Sequence, residues 1–134
     1  MRALNFDWEL VSGAEVLGVI GTHERKRNDG SLTWGQVAII LSKGAIVLSV
    51  NADTDEVIVD LQAVPEGDDW LDIGSVGDVV GLPLGWCWVL TNYLGYSDGF
   101  ALAFGQTTPD ALQPKLNFVV ESSVLTCFQM APSG

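Results

Sequence analysis

Apolar and polar residues alternate along most of this chain in short runs, a pattern typical of β-strands with one buried face. The clearest run is 56–62, where Val57, Val59 and Leu61 share one face and Asp60 and Gln62 share the other. Bounded by turn residues, similar runs predict further strands at 15–22, 34–42, 45–50, 84–90, 100–104, 116–121 and 124–130. The pattern thus predicts about eight strands and little helix.

The connections between these runs are short and rich in turn residues. Lys43-Gly44 and Ser122-Ser123 are predicted hairpin turns, and 51–55 is a polar turn. Such loops are too short for helical crossovers, so we expect antiparallel neighbours. Only two stretches interrupt the pattern: 4–11, which suits either a strand or a short helix, and 64–82, where a loop at 65–69 precedes a short helix or an irregular excursion. We therefore predict a single mainly β domain over 1–134: an antiparallel curled sheet, a small barrel or a sandwich.

The net charge of the chain limits the classes of partner that it can bind. Six basic residues face seventeen acidic ones, which gives a formal net charge of −11. Such a chain repels phosphate backbones and anionic lipids, so we expect no nucleic-acid and no membrane partner. A basic protein would be attracted, although the charge serves solubility equally well. The tribasic run Arg25–Arg27 is expected in a solvated loop, because the turn signal Asn28-Asp29-Gly30 follows it.

The two cysteines indicate a reducing compartment. Cys87 and Cys127 lie within apolar strand-like runs, where a free thiol behaves as a small hydrophobic residue. The first seven residues become acidic before any apolar stretch develops, so no signal peptide is predicted. No apolar run reaches the ~18 residues of a membrane span. We expect a cytoplasmic protein.

Signatures of catalysis are missing from the sequence. It has no G-x-S-x-G elbow, no Walker A loop and no H-E-x-x-H pair, and its one histidine, His23, falls in a charged loop. The run Asp53-Thr54-Asp55-Glu56 offers carboxylates to a cation but lacks the glycine and the distant glutamate of an EF-hand loop. An Asp-rich turn explains the run as well. We predict that the protein is not an enzyme and has no cofactor, and we assign no metal site. The sequence does not decide whether 53–56 binds a metal.

A second acidic cluster surrounds one large aromatic residue. Glu66, Asp68, Asp69 and Asp72 flank Trp70. An aromatic anchor ringed by charge is typical of a protein-binding hot spot. The alternative is that Trp70 fastens the loop to the core.

The segment 85–100 carries the most specific pattern in the chain. It resembles the W-x-W…T-N-x-x-G-Y-x-D-G signature of a family of small, uncharacterised bacterial proteins. The matching residues are Trp86, Trp88, Thr91, Asn92, Gly95, Tyr96, Asp98 and Gly99. The resemblance implies a bacterial origin but no activity and no catalytic residue. In physical terms, Tyr93 and Tyr96 form either a partner-binding hairpin tip or an aromatic plug.

These features favour a non-catalytic interaction protein, an inhibitor or immunity-type protein that binds a basic protein partner through acidic loops and aromatic anchors. The alternative is a small-molecule-binding β module with a pocket lined by Trp86, Trp88, Tyr93, Tyr96 and Phe100. Whether the chain is a monomer or a homodimer stays open. The candidate partner-binding residues are Asp53, Asp55, Glu56, Glu66, Asp68, Asp69, Trp70, Asp72, Tyr93, Tyr96 and Asp98.

Overall fold

A computed structural model describes residues 4–105 and 114–129. These residues form two antiparallel sheets that pack face to face as a sandwich. The strands are β1 (Gly18–Thr22), β2 (Arg25–Lys26), β3 (Leu32–Trp34), β4 (Gln36–Leu41), β5 (Gly44–Asn51), β6 (Glu56–Gln62), β7 (Leu71–Asp72), β8 (Leu84–Thr91), β9 (Ser97–Phe104), β10 (Leu116–Glu121) and β11 (Val124–Gln129). Two 3₁₀ segments cover Trp8–Leu10 and Gly74–Val79.

The first sheet has the order β6-β5-β4-β1-β7, and the second has the order β2-β3-β11-β10-β9-β8. The predicted antiparallel meander is confirmed for β4, β5 and β6 and for the β8–β9 and β10–β11 hairpins. Both sheets are open, so the sandwich alternative is the one that forms in the described part of the chain. It follows that strand edges remain, which matters for the surface described below.

The alternation in the sequence decides which side chains fill the core. The residues that β6 turns inward, Val57, Val59 and Leu61, pack against the core, as predicted. From the second sheet, Phe100 and Leu102 of β9 are fully buried against them. Period-two patterning thus sets the inner faces of both sheets.

The predicted strand 34–42 crosses from one sheet to the other. The run 34–42 divides at Gly35, where β3 ends in the second sheet and β4 begins in the first. The Gly35 N–H donates to the Thr22 carbonyl at 2.9 Å, and the Thr22 hydroxyl accepts the Gln36 N–H at 3.0 Å. These bonds satisfy the backbone at the point where the chain changes sheet. Apolar patterning alone does not reveal such a corner.

Other departures from the prediction concern short elements. Arg25–Lys26 pairs with β3 instead of lying in a loop, and β7 pairs with β1 inside the stretch expected to be irregular. The ambiguous start forms an isolated bridge at Leu4 and then the 3₁₀ turn, where the Asp7 carboxylate accepts the Glu9 N–H at 3.1 Å. Two- and three-residue strands carry no periodicity, so the described residues hold eleven strands where the pattern predicted about eight.

The predicted loop 106–114 and the last residue of the predicted strand 124–130 lie largely outside the described residues. No helix among the described residues is long and apolar enough to cross a membrane.

Candidate functional site

Three hairpin turns meet at one end of the sandwich. We call this surface the hairpin end and define it as residues 51–56, 92–98 and 121–123. Its turns connect β5 to β6, β8 to β9 and β10 to β11. The Ser97 N–H donates to Glu56 Oε2 at 3.0 Å, and the Ser123 N–H donates to Asp55 Oδ1 at 3.0 Å. The acidic turn of the first sheet is therefore tied to two hairpins of the second.

The acidic turn is shaped by its own side chains. Asn51 Oδ1 accepts the Asp53 N–H at 3.1 Å, an Asx turn that opens the loop. Asp55 has a φ of 53°, a left-handed conformation that aspartate tolerates better than most residues. The chain therefore turns back into β6 with the Asp55 carboxylate in reach of the neighbouring hairpin.

The β10–β11 turn depends on that carboxylate. Ser122 and Ser123 both have positive φ, at 51° and 66°, as a type I′ turn requires. Such turns prefer Asn-Gly, because asparagine and glycine adopt a positive φ more readily than serine does. Asp55 Oδ1 accepts both the backbone N–H of Ser123 and its hydroxyl, the latter at 3.1 Å. These two bonds stabilise the strained turn from the other sheet.

The β8–β9 hairpin holds its aromatic side chains outward. Asn92 Oδ1 accepts the N–H groups of Leu94 and Tyr96 at 3.0 and 3.2 Å, and Gly95 adopts a φ of 90° that favours glycine. The Tyr93 side chain is 96% exposed and Tyr96 is 42% exposed. Tyr93 is therefore displayed on a well-bonded turn instead of acting as a plug.

The hairpin end also carries several acidic side chains. The backbone N–H of Ser97 lowers the pKa of the Glu56 carboxyl below its usual value, so this group is ionised at neutral pH. Asp98 Oδ2 accepts the Asn92 amide at 3.4 Å, and Asp53 lies exposed at the tip of its turn. Glu121 is partly neutralised by Arg27, whose Nη1 lies 3.0 Å from Glu121 Oε2. The hairpin end thus combines negative charge with exposed aromatic surface.

The second predicted cluster lies elsewhere. We call 63–70 the strap, because it leads from β6 at one edge of the first sheet to β7 at the other. Trp70 is partly buried on the outer face of that sheet, against the patch formed by Ala38, Ala45 and Val47. Around it Glu66, Asp68, Asp69 and Asp72 are exposed. The structure therefore separates the two acidic clusters, and Trp70 fastens the strap to the sheet.

The aromatic residues proposed to line a common pocket are distributed over different surfaces. Phe100 is fully buried in the core, whereas Trp86, on the opposite face of the second sheet, is 39% exposed. Tyr93 and Tyr96 lie at the hairpin end. A different groove, of about 280 Å³, runs beside Asp72. Its lining is otherwise apolar or glycine: Leu17, Gly18, Val19, Ile73, Gly74, Gly77 and Val80.

The cysteines and the histidine do not form a catalytic Cys–His pair. Burial raises the pKa of Cys87 to about 11 and that of Cys127 to about 12, so both thiols are protonated at neutral pH. Both pack against the core, while His23 lies exposed in the β1–β2 turn. Within 4–105 and 114–129 no group of three or more His, Cys, Asp or Glu side chains could hold a metal ion. At 53–56, Asp55 and Glu56 are instead hydrogen-bonded to serines.

Residues missed by sequence reasoning are the partners of these carboxylates. Ser97, Ser123 and Asn51 position the acidic turn, and Arg27 pairs with Glu121 across 94 positions of sequence. Asn51, Ser97 and Ser123 all fall in predicted turns, so a role in turn structure was predictable for them. Nothing in the local sequence indicates which carboxylate each would meet.

The comparisons with known proteins place the chain in a family. A family model matches residues 1–134, and its description reads "Family of unknown function (DUF6334)". The chain belongs to that family. No curated protein and no solved structure matches it. Membership in DUF6334 agrees with the resemblance to an uncharacterised family drawn from segment 85–100, and it brings no activity with it.

Proposed function

We propose that this DUF6334 protein is a non-catalytic interaction protein of the bacterial cytoplasm, an inhibitor or immunity-type protein whose hairpin end binds a basic protein. One observation carries the proposal: the hydrogen bonds from Ser97 and Ser123 tie an acidic turn to two neighbouring hairpins, one of which displays Tyr93 with 96% exposure. A preorganised turn loses little conformational entropy on binding.

The chemistry of this surface suits a cationic partner. Carboxylates around an exposed aromatic side chain resemble an interface in which a central anchor is surrounded by polar residues. The net charge of −11 would speed the encounter with a basic protein, and the ion pairs would orient it. Tyr93 is the proposed anchor, and Asp53 and Asp98 are the proposed ion-pair partners. Asp55 and Glu56 support the surface through their bonds to serines.

We also propose that the protein has no catalytic activity. A nucleophilic cysteine needs a depressed pKa, and burial moves the pKa of both thiols the other way. In the strap the carboxylates are exposed, whereas general acids and bases are tuned by burial and by close neighbours. These features support binding over turnover.

The experiment compares two variants with equal changes in net charge. Asp53→Asn with Asp98→Asn removes two charges from the hairpin end, and Asp68→Asn with Asp69→Asn removes two charges from the strap. Proteins from a lysate of the source cell are captured on each variant at low and high salt. We expect a basic protein that is captured by the wild type and the strap variant but lost from the hairpin-end variant and at high salt. Equal loss from both variants would show that only total charge matters.

The small-molecule alternative would use the groove beside Asp72. Its volume of about 280 Å³ lies near the lower limit of ligand pockets, and one carboxylate faces an otherwise apolar lining. A small amphipathic cation fits that chemistry. A thermal-shift screen of such compounds tests it, with Asp72→Asn as the variant expected to lose any stabilisation. If no compound raises the unfolding temperature, the groove is not a binding site.

A further inference from the structure

The outer edge of β8 is uncharged. Within 4–105 and 114–129, β8 is the last strand of the second sheet, and β9 is the one strand that pairs with it. At its start Gly13 and Ala14 bond to Leu84, and the Trp8 indole N–H reaches the Gly85 carbonyl at 3.3 Å. In the part of the chain that the structure describes, the backbone of 86–91 pairs with β9. Alternate backbone groups on this stretch are therefore directed outward.

The remaining edges of the two sheets are shielded. β6 carries Glu56 and Asp60, and the Asn5 N–H donates to its Val59 carbonyl at 2.9 Å. β2 and β7 are each only two residues long and carry exposed charges, Arg25-Lys26 in β2 and Asp72 in β7. Short strands and charged side chains are the usual ways in which proteins block edge-to-edge pairing. Among the described residues, β8 has eight residues and no charge, and its only such devices are the register irregularities at 84–86 and 90–91.

The side chains of β8 favour a second copy of the same strand over a charged partner. Trp86, Trp88 and Leu90 share the outer face, and Trp86 and Leu90 are 39% and 38% exposed. Two molecules that each carry a charge of −11 repel one another, so their contact must avoid carboxylates. Segment 86–91 contains no acidic or basic residue. It is a place where two copies can meet without opposing charge.

The geometry of the strand is also self-complementary. Between the irregularities at 84–86 and 90–91, residues 86–90 keep a regular register with β9. An antiparallel pair of identical strands has a two-fold axis perpendicular to the sheet, which makes the contact isologous and closed. With Trp88 on that axis, Trp86 of one copy lies opposite Leu90 of the other on the same face. Aromatic cross-strand pairs of this kind stabilise antiparallel sheets.

We infer that two copies of the chain pair through β8, antiparallel and with Trp88 at the two-fold axis, so that the two six-stranded sheets become one continuous sheet. The hairpin end, where β8 finishes, lies off the axis in each copy. This dimer therefore leaves both proposed partner-binding surfaces available. The inference does not depend on the proposed function.

Sedimentation equilibrium from micromolar to millimolar concentration tests the dimer. We expect reversible dimerisation of the wild type, weakened by about tenfold or more in Leu90→Glu, because the new carboxylate is placed in an apolar contact. The matched control is Leu71→Glu, which adds the same charge at a 64% exposed leucine on β7 and should dimerise like the wild type. Circular dichroism checks that both variants are folded.

Amide hydrogen exchange locates the contact. In the proposed dimer the outward N–H groups of 86–90 become protected as concentration rises, while those of β7 do not. A wild type that stays monomeric at millimolar concentration overturns the inference. So does a dimer that Leu90→Glu leaves intact, or one with no concentration-dependent protection in β8. A monomer that instead protects β8 on adding an extended peptide would assign the edge to a different occupant and overturn it too.

Discussion

The hairpin end and the strap have similar composition and opposite construction. Both combine several carboxylates with large aromatic side chains. At the hairpin end, Asp55 and Glu56 are hydrogen-bonded to serines and Tyr93 is exposed. In the strap, the carboxylates are exposed and Trp70 is packed on the sheet. In one region the acids hold the structure and the aromatic residue is presented; in the other the aromatic residue holds the structure. Composition alone therefore does not identify the binding surface.

The largest expected effect on stability comes from the strap. Trp70→Ala removes the indole that covers Ala38, Ala45 and Val47, and we expect the free energy of unfolding to fall by about 2 kcal/mol. This is less than the loss for a fully buried tryptophan, because Trp70 is partly exposed. Urea denaturation measures the change. An unaltered free energy of unfolding would mean that Trp70 does not anchor the strap, and the contrast between the two regions would disappear.

The next effect comes from the acids of the hairpin end. Asp55→Ala removes the acceptor of two hydrogen bonds from Ser123 and leaves alanine with a φ near 53°, so we expect a loss of about 1–2 kcal/mol. Asp55→Asn is the matched variant, because asparagine tolerates the same backbone and keeps an oxygen acceptor. It should lose clearly less in the same denaturation experiment. Equal losses in the two variants would argue against this account of the turn.

Much of the fold follows from period-two patterning. The inward faces of β6 and β9, the β10–β11 hairpin and the antiparallel order of β4 to β6 were all predictable, because burial on one face imposes a regular alternation. The division at Gly35 was not, because Trp34 before it and Val37 to Ile39 after it are all buried, so the apolar pattern continues across the corner. The two-residue strands β2 and β7 were not predictable either, because they form by pairing with β3 and β1 and have no sequence pattern of their own.

The candidate site was predictable in its parts and not in its assembly. Sequence patterns placed Asp53 to Asp55 and Tyr93 to Tyr96 in turns, and the structure has turns there, with Glu56 and Asp98 at the starts of the strands that follow. That these two turns meet depends on how the sheets stack, with Glu56 and Ser97 separated by 41 positions. Conversely, Trp70 and Tyr93 were equal candidates as anchors. Their exposure differs because one chain segment crosses a sheet face and the other extends past a sheet end.

A smaller, pH-dependent effect on stability is expected from Glu56 at the hairpin end. Its pKa is lowered on folding, chiefly by the Ser97 N–H, so this group stabilises the folded state above its unfolded pKa. That contribution is lost as pH falls through the lowered pKa. Glu56→Gln should therefore be less stable than the wild type at neutral pH, and the gap should close in acid. Urea midpoints of the two proteins measured across the acidic range test this. A constant gap for Glu56→Gln would show that its charge is irrelevant.

The smallest expected change in stability is the most informative about function. Tyr93→Ala removes a side chain that is 96% exposed, so the free energy of unfolding should change by less than about 0.5 kcal/mol. The Asn92 and Gly95 contacts that shape the turn use backbone and amide groups and are unaffected. If the hairpin end binds a basic protein, the same variant should lose that partner while remaining as stable as the wild type. Trp70→Ala should behave in the opposite way, losing stability but retaining the partner whenever it is folded. A Tyr93→Ala variant that unfolds easily would show that the tyrosine is part of the fold, and the two regions would then be built alike.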